Sequence, residues 1–236
     1  MQNYLITGAN RGIGLELTRQ LVTQGGALVF ATCRAPERAD NLNELARDNP
    51  GKVTVLQLDV NDESSIAAAV QAVSAAAASL DVLINNAGIF PKGDHASRGL
   101  GNLTSEALSE LITTNAVSPL IVTQACRDLL QLAENPRVVM ISSGLGSVQA
   151  TRGGPYAYRM SKAAMNMAAR VLAFDGAMAG ITTITTHPGW VQTDMGGAGA
   201  DITATDSAAG LLALISGLKS ADNGRFFRYD GAELDW

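Results

Sequence analysis

A tyrosine and a lysine stand four positions apart at the start of a predicted helix, in the run YRMSK at 158–162. Positions i and i+4 share one face of an α-helix, so the ammonium of Lys162 can lie near the hydroxyl of Tyr158. A nearby cation favours the phenolate and is expected to lower the pKa of Tyr158 from about 10 toward neutrality. This spacing makes Tyr158 a candidate general acid, although the pattern Y-x-x-x-K by itself is common in sequences. Tyr156 is a poorer candidate, because its i+4 partner is Met160.

A glycine-rich loop follows the first apolar run, in the sequence TGANRGIG at 7–14. Gly8 permits a tight turn, Gly12 lets the backbone approach a pyrophosphate, and Gly14 allows the following helix to pack close to a sheet. The start of that helix offers free N–H groups and a positive dipole end to phosphates. The spacing G-x-x-x-G-x-G differs from the general G-x-G-x-x-G fingerprint, and glycines also occur in turns that bind nothing. Between a strand and a helix, the loop predicts a dinucleotide site.

Two arginines indicate which dinucleotide is expected. An NAD site has an acidic residue about 20 positions beyond the glycine loop, whereas a nearby arginine accommodates the 2′-phosphate of NADP. Arg34 stands 20 positions after Gly14 (34 − 14 = 20), and no acid follows Arg34 before Glu37. Arg11 lies in the loop itself, and two guanidinium groups can hold a phosphate in charge-assisted hydrogen bonds. NADP(H) is therefore favoured over NAD(H), with two solvated surface arginines as the alternative.

Asn115 stands four positions before a proline. In a helix its carbonyl would accept a hydrogen bond from the N–H of residue 119, but Pro119 has no N–H. The carbonyl of Asn115 is then left without its usual partner and can bind water. A plain structural kink is the alternative interpretation.

Short apolar runs alternate with helical patterns and must position these residues. The predicted strands are Tyr4–Ile6, Ala27–Thr32, Val53–Leu58, Val82–Ile84, Val138–Ile141, Ile181–Thr186 and Arg225–Phe227. The predicted helices cover 12–24, 37–48, 62–79, 104–133, 156–178 and 205–217, with Asp62 as the cap of the third. Strands that are continuously apolar or β-branched are typical of parallel sheets buried on both faces. We therefore expect one domain over residues 1–236, with a doubly wound α/β fold of Rossmann type, a mostly seven-stranded parallel sheet with helices on both faces.

The composition argues against several other classes of protein. The chain has 236 residues, of which 47% are hydrophobic and 17% charged, enough to bury a sizeable core. Its net charge of −5 argues against a nucleic-acid-binding surface, and no apolar run approaches the length of about 18 residues that a membrane span needs. The two cysteines, Cys33 and Cys126, are too few for a disulfide framework or a cysteine-rich metal site, and the two histidines, His95 and His187, are too few for a multi-histidine site. We therefore expect no nucleic-acid partner, no membrane partner and no metal. We also expect a cytoplasmic protein, because the N-terminus lacks the features of a secretory signal.

The motifs together resemble the short-chain dehydrogenase/reductase family over essentially the whole chain. Beyond the glycine loop, the matching residues are Asp59-Val60, Asn85-Asn86-Ala87-Gly88, Asn115, Ser142-Ser143, Tyr158 with Lys162, and Pro188-Gly189-Trp190-Val191-Gln192-Thr193. They follow the predicted strands in the family's order. The details are most similar to the carbonyl-reductase and C-factor-like branch, through GANRGIG at 8–14, the segment 188–197 and the ending FFRYDG at 226–231.

The resemblance implies hydride transfer from a nicotinamide to a carbonyl, with four catalytic residues. Tyr158 would protonate the nascent alkoxide, while Lys162 would hold the nicotinamide ribose and lower the tyrosine pKa. Ser143 would hydrogen-bond the substrate carbonyl. It is preferred to Ser142 because it matches the family position and neighbouring strand residues point to opposite faces. The family's proton relay would run from Tyr158 through Lys162 to a water held at Asn115.

The resemblance also assigns the cofactor contacts. Asp59 and Val60 would meet the adenine, and Val191 with Thr193 would contact the nicotinamide amide. The whole expected cofactor set is Gly8, Asn10, Arg11, Gly12, Ile13, Gly14, Arg34, Asp59, Val60, Asn86, Ala87, Gly88, Tyr158, Lys162, Pro188, Gly189, Val191 and Thr193. The residues beyond the glycine loop fall mostly at the carboxyl ends of strands, where open α/β sheets bind ligands. Family members associate through two long helices, here 104–133 and 156–178, so a homodimer or homotetramer is expected.

The segments that set substrate specificity in this family are short here. The segment after Thr193, covering 194–206, is rich in Gly and Ala, and 89–101 contains Lys92, Asp94, His95 and Arg98. We predict a shallow, open site for a small aldehyde or ketone, or for the corresponding alcohol in the reverse direction, with Trp190 as one apolar wall. The alternative is an NAD(P)-binding signalling or regulatory protein of C-factor type with weak or no catalysis. The joint presence of four catalytic residues favours the enzyme.

Overall fold

A computed structural model describes residues 1–90 and 99–236, and it contains a sheet of seven parallel strands. The strands are β1 (Gln2–Ile6), β2 (Ala27–Cys33), β3 (Val53–Gln57), β4 (Val82–Asn85), β5 (Arg137–Ile141), β6 (Thr182–His187) and β7 (Phe226–Arg228). The ends of each strand lie within two residues of the predicted ends. The predicted doubly wound α/β fold is confirmed.

Helices cover both faces of this sheet. They are α1 (Gly12–Gln24), α2 (Asp40–Asp48), α3 (Glu63–Ala76), α4 (Ser105–Ile112), α5 (Ser118–Gln131), α6 (Tyr156–Phe174) and α7 (Ala204–Gly217). The predicted cap of α3 is confirmed, because the Asp62 carboxylate accepts from the N–H groups of Ser64 and Ser65. Across the described ranges, none of the helices is both long enough and apolar enough to cross a membrane.

The strand order β3-β2-β1-β4-β5-β6-β7 places β1 beside both β2 and β4. The chain therefore moves outward in one direction from β1 to β3, and then returns to the centre to continue in the other direction. Ile6, near the end of β1, is in register with Ala31 on one side and Ile84 on the other. The carboxyl ends of the central strands thus meet at one edge, where doubly wound sheets bind ligands.

Two core layers flank the sheet, because neighbouring strand residues point to opposite faces. On the α1 face, Ile6 and Val29 pack with residues of α1, α2 and α7, among them Leu17, Leu42 and Leu211. On the α6 face, Leu5 and Phe30 pack with residues of α3, α5 and α6, among them Ile66, Val122 and Met165. Both faces of β1 and β2 are thus buried, as the continuous apolar runs predict.

The prediction of one helix over 104–133 is wrong at its centre. Between α4 and α5 the backbone forms a π-helical turn over Thr113–Val117. The N–H and the hydroxyl of Ser118 both donate to the carbonyl of Thr113, the hydroxyl at 2.9 Å. A π-turn accommodates the absence of a backbone N–H at Pro119. Such turns are often found at functional sites. It widens the helix at Asn115.

Two other predicted helices differ at their ends. The segment predicted as 37–48 begins with a separate 3₁₀ turn at Pro36–Arg38 before α2 starts. The helix predicted as 156–178 ends at Phe174, and a 3₁₀ turn over Gly176–Met178 follows. The Asp175 carboxylate caps that turn by accepting from the N–H of Ala177, which favours a new turn over continuation of the helix.

Candidate active site

The glycine loop between β1 and α1 is shaped by close backbone approaches. Gly8 and Gly12 have positive φ angles of 67° and 55°, which residues with a Cβ rarely adopt. A Cβ on Gly14 would lie 2.5 Å from the carbonyl oxygen of Gly8, and one on Gly12 would lie 3.3 Å from the methyl group of Thr193. The loop therefore folds tightly on itself and borders the segment that follows β6.

Thr7 and Asn86 join this loop to the end of β4. The amide Nδ2 of Asn86 donates to the carbonyls of Thr7 at 2.9 Å and Gly8 at 3.0 Å. The hydroxyl of Thr7 accepts from the N–H groups of Asn86 and Ala87, each at 3.0 Å. The side chain of Asn86, expected to contact the cofactor, thus also holds two strand ends together. The sequence analysis included Thr7 in the motif TGANRGIG but gave it no role.

The start of α1 can receive a phosphate. Arg11 precedes the helix in an extended conformation, and no side chain of the described residues caps the helix start. The first turn contains no acidic residue, so the N–H groups that follow Asn10, including those of Gly12 and Ile13, carry the positive end of the helix dipole. This arrangement fits the pyrophosphate of a dinucleotide.

The two arginines expected at the 2′-phosphate are placed differently. Arg34 is exposed at the carboxyl end of β2. Nη1 of Arg11 forms an ion pair with Oδ2 of Asp194 at 2.8 Å, and the side chains of the pair are 61% and 72% exposed. Asp194 was expected only as the start of a substrate segment. The pair links the glycine loop to the segment after Thr193, across the expected cofactor path.

Asp59 and Val60 follow β3, at the expected adenine end. The Asp59 carboxylate accepts from the N–H of Asn61 at 3.0 Å, and the N–H of Asp59 donates to the Ser65 hydroxyl at 2.9 Å. Val60 packs partly buried against the core layer of the α6 face. Local hydrogen bonds therefore fix Asp59 in a turn beside the carboxyl end of β3.

Tyr158 lies in the first turn of α6 and is buried, with 8% of its surface exposed. Burial raises its pKa to about 12, and the neighbouring side chain of Ser143 acts in the opposite direction. The expected lowering of the Tyr158 pKa is therefore wrong for the protein chain alone. Removing a phenolate from water costs more free energy than its surroundings return.

Lys162 lies one turn further along α6, with Nζ 5.8 Å from the centroid of the Tyr158 ring. Its ammonium donates to the carbonyl of Ile141 in β5 at 2.9 Å. Burial lowers the pKa of Lys162 to about 7. The i, i+4 spacing does bring the two side chains together. A lysine so deeply buried, however, loses its proton more readily than the spacing alone indicates.

The two serines after β5 point in different directions. The hydroxyl of Ser142 donates to Oδ1 of Asn166 at 2.6 Å and is directed toward the body of α6. The hydroxyl of Ser143 accepts from the N–H of Leu145 at 3.1 Å and lies beside Tyr158. Of these two serines, Ser143 is the one whose hydroxyl lies next to Tyr158, in agreement with the preference from alternation along the strand.

Asn115 is fully buried in the π-turn, and its side chain makes three hydrogen bonds. Oδ1 accepts from the N–H of Ile89 at 2.8 Å, while Nδ2 donates to the carbonyl of Ile89 at 2.9 Å and to the hydroxyl of Ser161 at 3.0 Å. A Cβ on Gly88 would lie 3.2 Å from Asn115 Oδ1 and 3.6 Å from Lys162 Nζ. The structure therefore brings Gly88, Asn115 and Lys162 together at the ends of β4 and β5.

Phe90 is a site residue that sequence reasoning missed. Its ring packs edge-on against Tyr158, with centroids 4.7 Å apart and an angle of 67° between the planes. The signal available in the sequence was its place just after the fourth strand's Asn-Asn-Ala-Gly motif. The substrate-loop residues named from the sequence after Phe90, namely Lys92, Asp94, His95 and Arg98, lie outside the described residues.

The segment after β6 closes the other side of the site. Pro188 and Gly189 form a turn, and the carbonyl of Pro188 accepts from the Ser207 hydroxyl at 2.6 Å. Val191 is buried, and Thr193 lies against Gly12. Trp190 is 53% exposed, and its indole N–H donates to the carbonyl of Gly196 at 2.8 Å. In the parts of the chain that the structure describes, no cluster of three or more His, Cys, Asp or Glu could hold a metal ion.

Comparisons with known proteins identify the family. The model of the short chain dehydrogenase family matches residues 2–201. The C-signal protein of Myxococcus xanthus is 46% identical over 158 residues, which cover 66% of this chain and 93% of that protein. The carbonyl reductase Sniffer of D. melanogaster has a similar structure, with a TM-score of 0.93, 36% identity and full coverage of both chains. A carbonyl reductase from chicken fatty liver, solved with bound NADPH, gives a TM-score of 0.92 and 37% identity, covering 100% of this chain and 94% of that chain.

The protein therefore belongs to the short-chain dehydrogenase family of oxidoreductases. Its structural neighbours place it with the carbonyl-reductase branch of that family. The resemblance inferred from the sequence motifs is confirmed.

Proposed function

We propose that residues 1–236 form one catalytic domain that reduces the carbonyl of a small aldehyde or ketone with NADPH. The observation that carries this proposal is the placement of Ser143 beside Tyr158, with Lys162 one turn away and Asn115 near the lysine. This group lies at the carboxyl ends of β4 and β5, next to a loop that fits a dinucleotide pyrophosphate. In the reverse direction the same site oxidises an alcohol.

Ser143 and Tyr158 bind and protonate the substrate oxygen in this mechanism. The nicotinamide supplies a hydride to the carbonyl carbon when the cofactor is bound. As negative charge develops on the oxygen, the two neighbouring hydroxyls donate hydrogen bonds to it, and the low polarity around Tyr158 strengthens them. Tyr158 then gives its proton to the alkoxide. A raised pKa keeps Tyr158 protonated at neutral pH, as a general acid must be.

Lys162 and Asn115 return the proton to Tyr158. With a pKa near 7, Lys162 can both hold and release a proton under physiological conditions. Asn115 lies in the π-turn, and its buried side chain fixes this turn against Ile89 and Ser161. We assign to the Asn115 carbonyl the water that passes the proton to Lys162.

Arg34 and Arg11 give the preference for NADP(H) over NAD(H). Arg34 stands at the end of β2, where a 2′-phosphate on the adenosine ribose would meet it, and its guanidinium is exposed. Arg11 directly precedes α1. Because its ion pair with Asp194 is exposed, Arg11 can exchange Asp194 for a phosphate. NADPH bound to the similar chicken enzyme supports this choice.

The described walls of the substrate site favour a compact carbonyl compound. Phe90 covers one side of Tyr158, and Trp190 is available as a second apolar wall. The segment 194–206 is short and rich in Gly and Ala, so it offers few bulky side chains for the recognition of a large ligand. A small aldehyde or ketone therefore fits this site, with Phe90 as an additional wall.

The activity is tested with a panel of aldehydes and ketones and either NADPH or NADH. Turnover is monitored as the loss of absorbance of the reduced cofactor. We expect turnover with several small carbonyls and a higher kcat/KM with NADPH than with NADH. Tyr158→Phe should lower kcat at least about 100-fold. Tyr156→Phe is the matched control on the same helix turn, since Tyr156 is exposed. Equal turnover by Tyr158→Phe and wild type would contradict the mechanism.

A second candidate function is a signalling or regulatory role with weak or no catalysis. The similarity to the C-signal protein favours it. In that case the wild-type chain binds NADPH in calorimetry but turns over none of the carbonyl panel, and Tyr158→Phe changes nothing that can be measured. Turnover by the wild type with loss in Tyr158→Phe decides for the enzyme.

A homodimer or homotetramer is proposed through α5 and α6. An exposed apolar row follows one face of α6, at Met160, Met167, Val171 and Phe174. Apolar side chains grouped on one helix face are typical of a protein–protein contact. Light scattering should give a mass of two or four chains, and Val171→Asp should reduce it to one. A monomeric wild type would contradict this assignment.

A further inference from the structure

His187 stands at the end of β6, between the two segments on which the proposed reaction depends. On one side it precedes the Pro188–Gly189 turn, and on the other its ring faces Gly144, which follows Ser143. The sequence alone assigned no role to His187. Its surroundings show a more specific arrangement.

The peptide group between Pro188 and Gly189 is held at both ends. Its carbonyl oxygen accepts from the Ser207 hydroxyl at 2.6 Å, and its N–H donates to Nδ1 of His187 at 3.3 Å. The carbonyl of His187 in turn accepts from the N–H of Tyr229 at 2.8 Å. The orientation of this peptide plane therefore depends on one side chain from α7 and on the imidazole of His187.

The opposite edge of the imidazole packs against the backbone after β5. A Cβ built on Gly144 would lie 3.3 Å from Cδ2 of His187 and 3.4 Å from Nε2. The ring thus occupies the space beside Gly144 and limits movement of the turn whose first residue is Ser143. β5 and β6 are neighbours in the sheet, and the N–H of Ser142 donates to the carbonyl of Thr186 at 2.7 Å, so the ring continues this contact past the strand ends.

The hydrogen bond from Gly189 specifies one tautomer of the imidazole. An Nδ1 atom that accepts a hydrogen bond carries no proton, so the proton of the neutral ring lies on Nε2. Burial, aided by the guanidinium of Arg228 on β7, lowers the pKa of His187 to about 4. The ring is therefore neutral at pH 7, as the acceptor role requires.

We propose that His187, as the Nε2–H tautomer, is a positioning residue that sets the Pro188–Gly189 peptide and the Ser143–Gly144 turn relative to each other. It touches neither hydride nor substrate in this role. It keeps the Pro188–Gly189 turn, which leads to the expected nicotinamide contacts Val191 and Thr193, at a fixed distance from Ser143, the serine expected at the substrate carbonyl. This inference rests on the proposed reductase function.

Three substitutions in the full chain test the role of Nδ1. Asn places an acceptor oxygen near the position of Nδ1, Gln places its polar atoms nearer to Nε2, and Leu has no acceptor. We expect His187→Leu and His187→Gln to lower kcat about tenfold or more, with NADPH affinity within about threefold of wild type. His187→Asn should recover kcat to within about threefold. Equal rates for Asn, Gln and Leu would overturn the assignment, because a purely space-filling role does not distinguish them.

If the His187→Leu variant does not fold, Ser207→Ala and ¹⁵N NMR of the wild type test the same proposal. Ser207→Ala removes the other hydrogen bond of the same peptide, and we expect it to lower kcat without raising the NADPH Kd. The ¹⁵N spectrum of the wild type at pH 7 should show a protonated Nε2 and an unprotonated Nδ1 for His187. A proton on Nδ1 would overturn the proposal. A wild type that reduces no carbonyl contradicts the proposed function instead, whereas an active wild type matched by all three His187 variants contradicts the role of His187 alone.

Discussion

The two ends of the proposed cofactor site differ in their exposure to water. At the phosphate end, the charged groups are Arg34, Arg11 and Asp194, and the side chains of the Arg11–Asp194 pair are more than half exposed. At the catalytic end, Lys162 is 4% exposed and Asn115 is fully buried. Charges exposed to water can attract a phosphate. Burial, in contrast, lowers the pKa of Lys162 and makes each hydrogen bond of the buried groups matter. We therefore propose that the exposed end sets NADPH affinity and the buried end sets the chemistry.

The buried lysine gives the largest expected effect. Lys162→Met replaces the ammonium by an apolar side chain of similar length. We expect kcat to fall at least about 100-fold, because the proton relay and the ribose contact are both lost. Steady-state kinetics measure the fall in kcat. Lys219→Met is the control, because Lys219 is exposed and follows the end of α7. A kcat within threefold of wild type would contradict the view that the buried end of the site sets the chemistry.

The same variant should show how burial of Lys162 affects stability. Its folded pKa of about 7 lies below the usual 10.5, so the unfolded chain binds more protons between these two values. The contribution of Lys162 to the free energy of unfolding therefore rises as pH increases from about 7 to 10. Denaturant unfolding should find Lys162→Met at least as stable as wild type at pH 7, with a smaller advantage at pH 9. An advantage that grows with pH would contradict the lowered pKa.

The glycine loop gives the next largest effect, through shape instead of charge. Gly14→Ala places a Cβ 2.5 Å from the carbonyl oxygen of Gly8, so the loop must shift. We expect a loss of about 1–3 kcal/mol in the free energy of unfolding, as in other overpacked sites, and weaker NADPH binding in calorimetry. Gly176→Ala is the matched control, because a Cβ there would meet no atom within 4 Å.

Arg34→Ala should act on affinity and leave chemistry unchanged. We expect the NADPH Kd to rise about tenfold, with the NADH Kd and the single-turnover rate close to wild type, because only the 2′-phosphate contact is lost. The difference from wild type should shrink at high salt. Arg47→Ala, on the exposed side of α2, is the control. An unchanged ratio of NADPH to NADH affinity would remove Arg34 from the 2′-phosphate site.

Asp194→Asn gives the smallest expected effect. Exposed ion pairs contribute little, so we expect NADPH affinity to change by at most about threefold. The direction should be toward tighter binding, because Arg11 is released for the phosphate. The change should vanish in the Arg11→Ala background. A large effect that persists without Arg11 would show that Asp194 has a role of its own at the site.

The sequence predicted backbone features well because local patterns determine them. The strand ends lie within two residues of prediction, and the glycine spacing predicts a loop whose close contacts the structure shows. The face shared by Tyr158 and Lys162 follows from helix periodicity alone. The π-turn at Thr113–Val117 was indicated only indirectly, through Pro119, because its extra residue depends on the packing of the buried Asn115.

Other features could not be predicted because they arise from burial and from contacts distant in sequence. The expected lowering of the Tyr158 pKa considered the charge of Lys162 and left out burial, which raises that pKa and lowers the pKa of Lys162. The pairing of Arg11 with Asp194 joins residues 183 positions apart. The contact of Phe90 with Tyr158 likewise depends on how β4 and α6 are brought together.

Single-turnover kinetics with saturating NADPH test the central claim, that Tyr158 in a buried site acts as the general acid of carbonyl reduction. The measurement compares wild type and Tyr158→Phe, with the NADPH Kd of each determined separately. We predict NADPH affinity within about threefold of wild type and a rate constant for NADPH oxidation at least about 100-fold lower. Equal rate constants, or a loss explained entirely by weaker NADPH binding, would contradict the account.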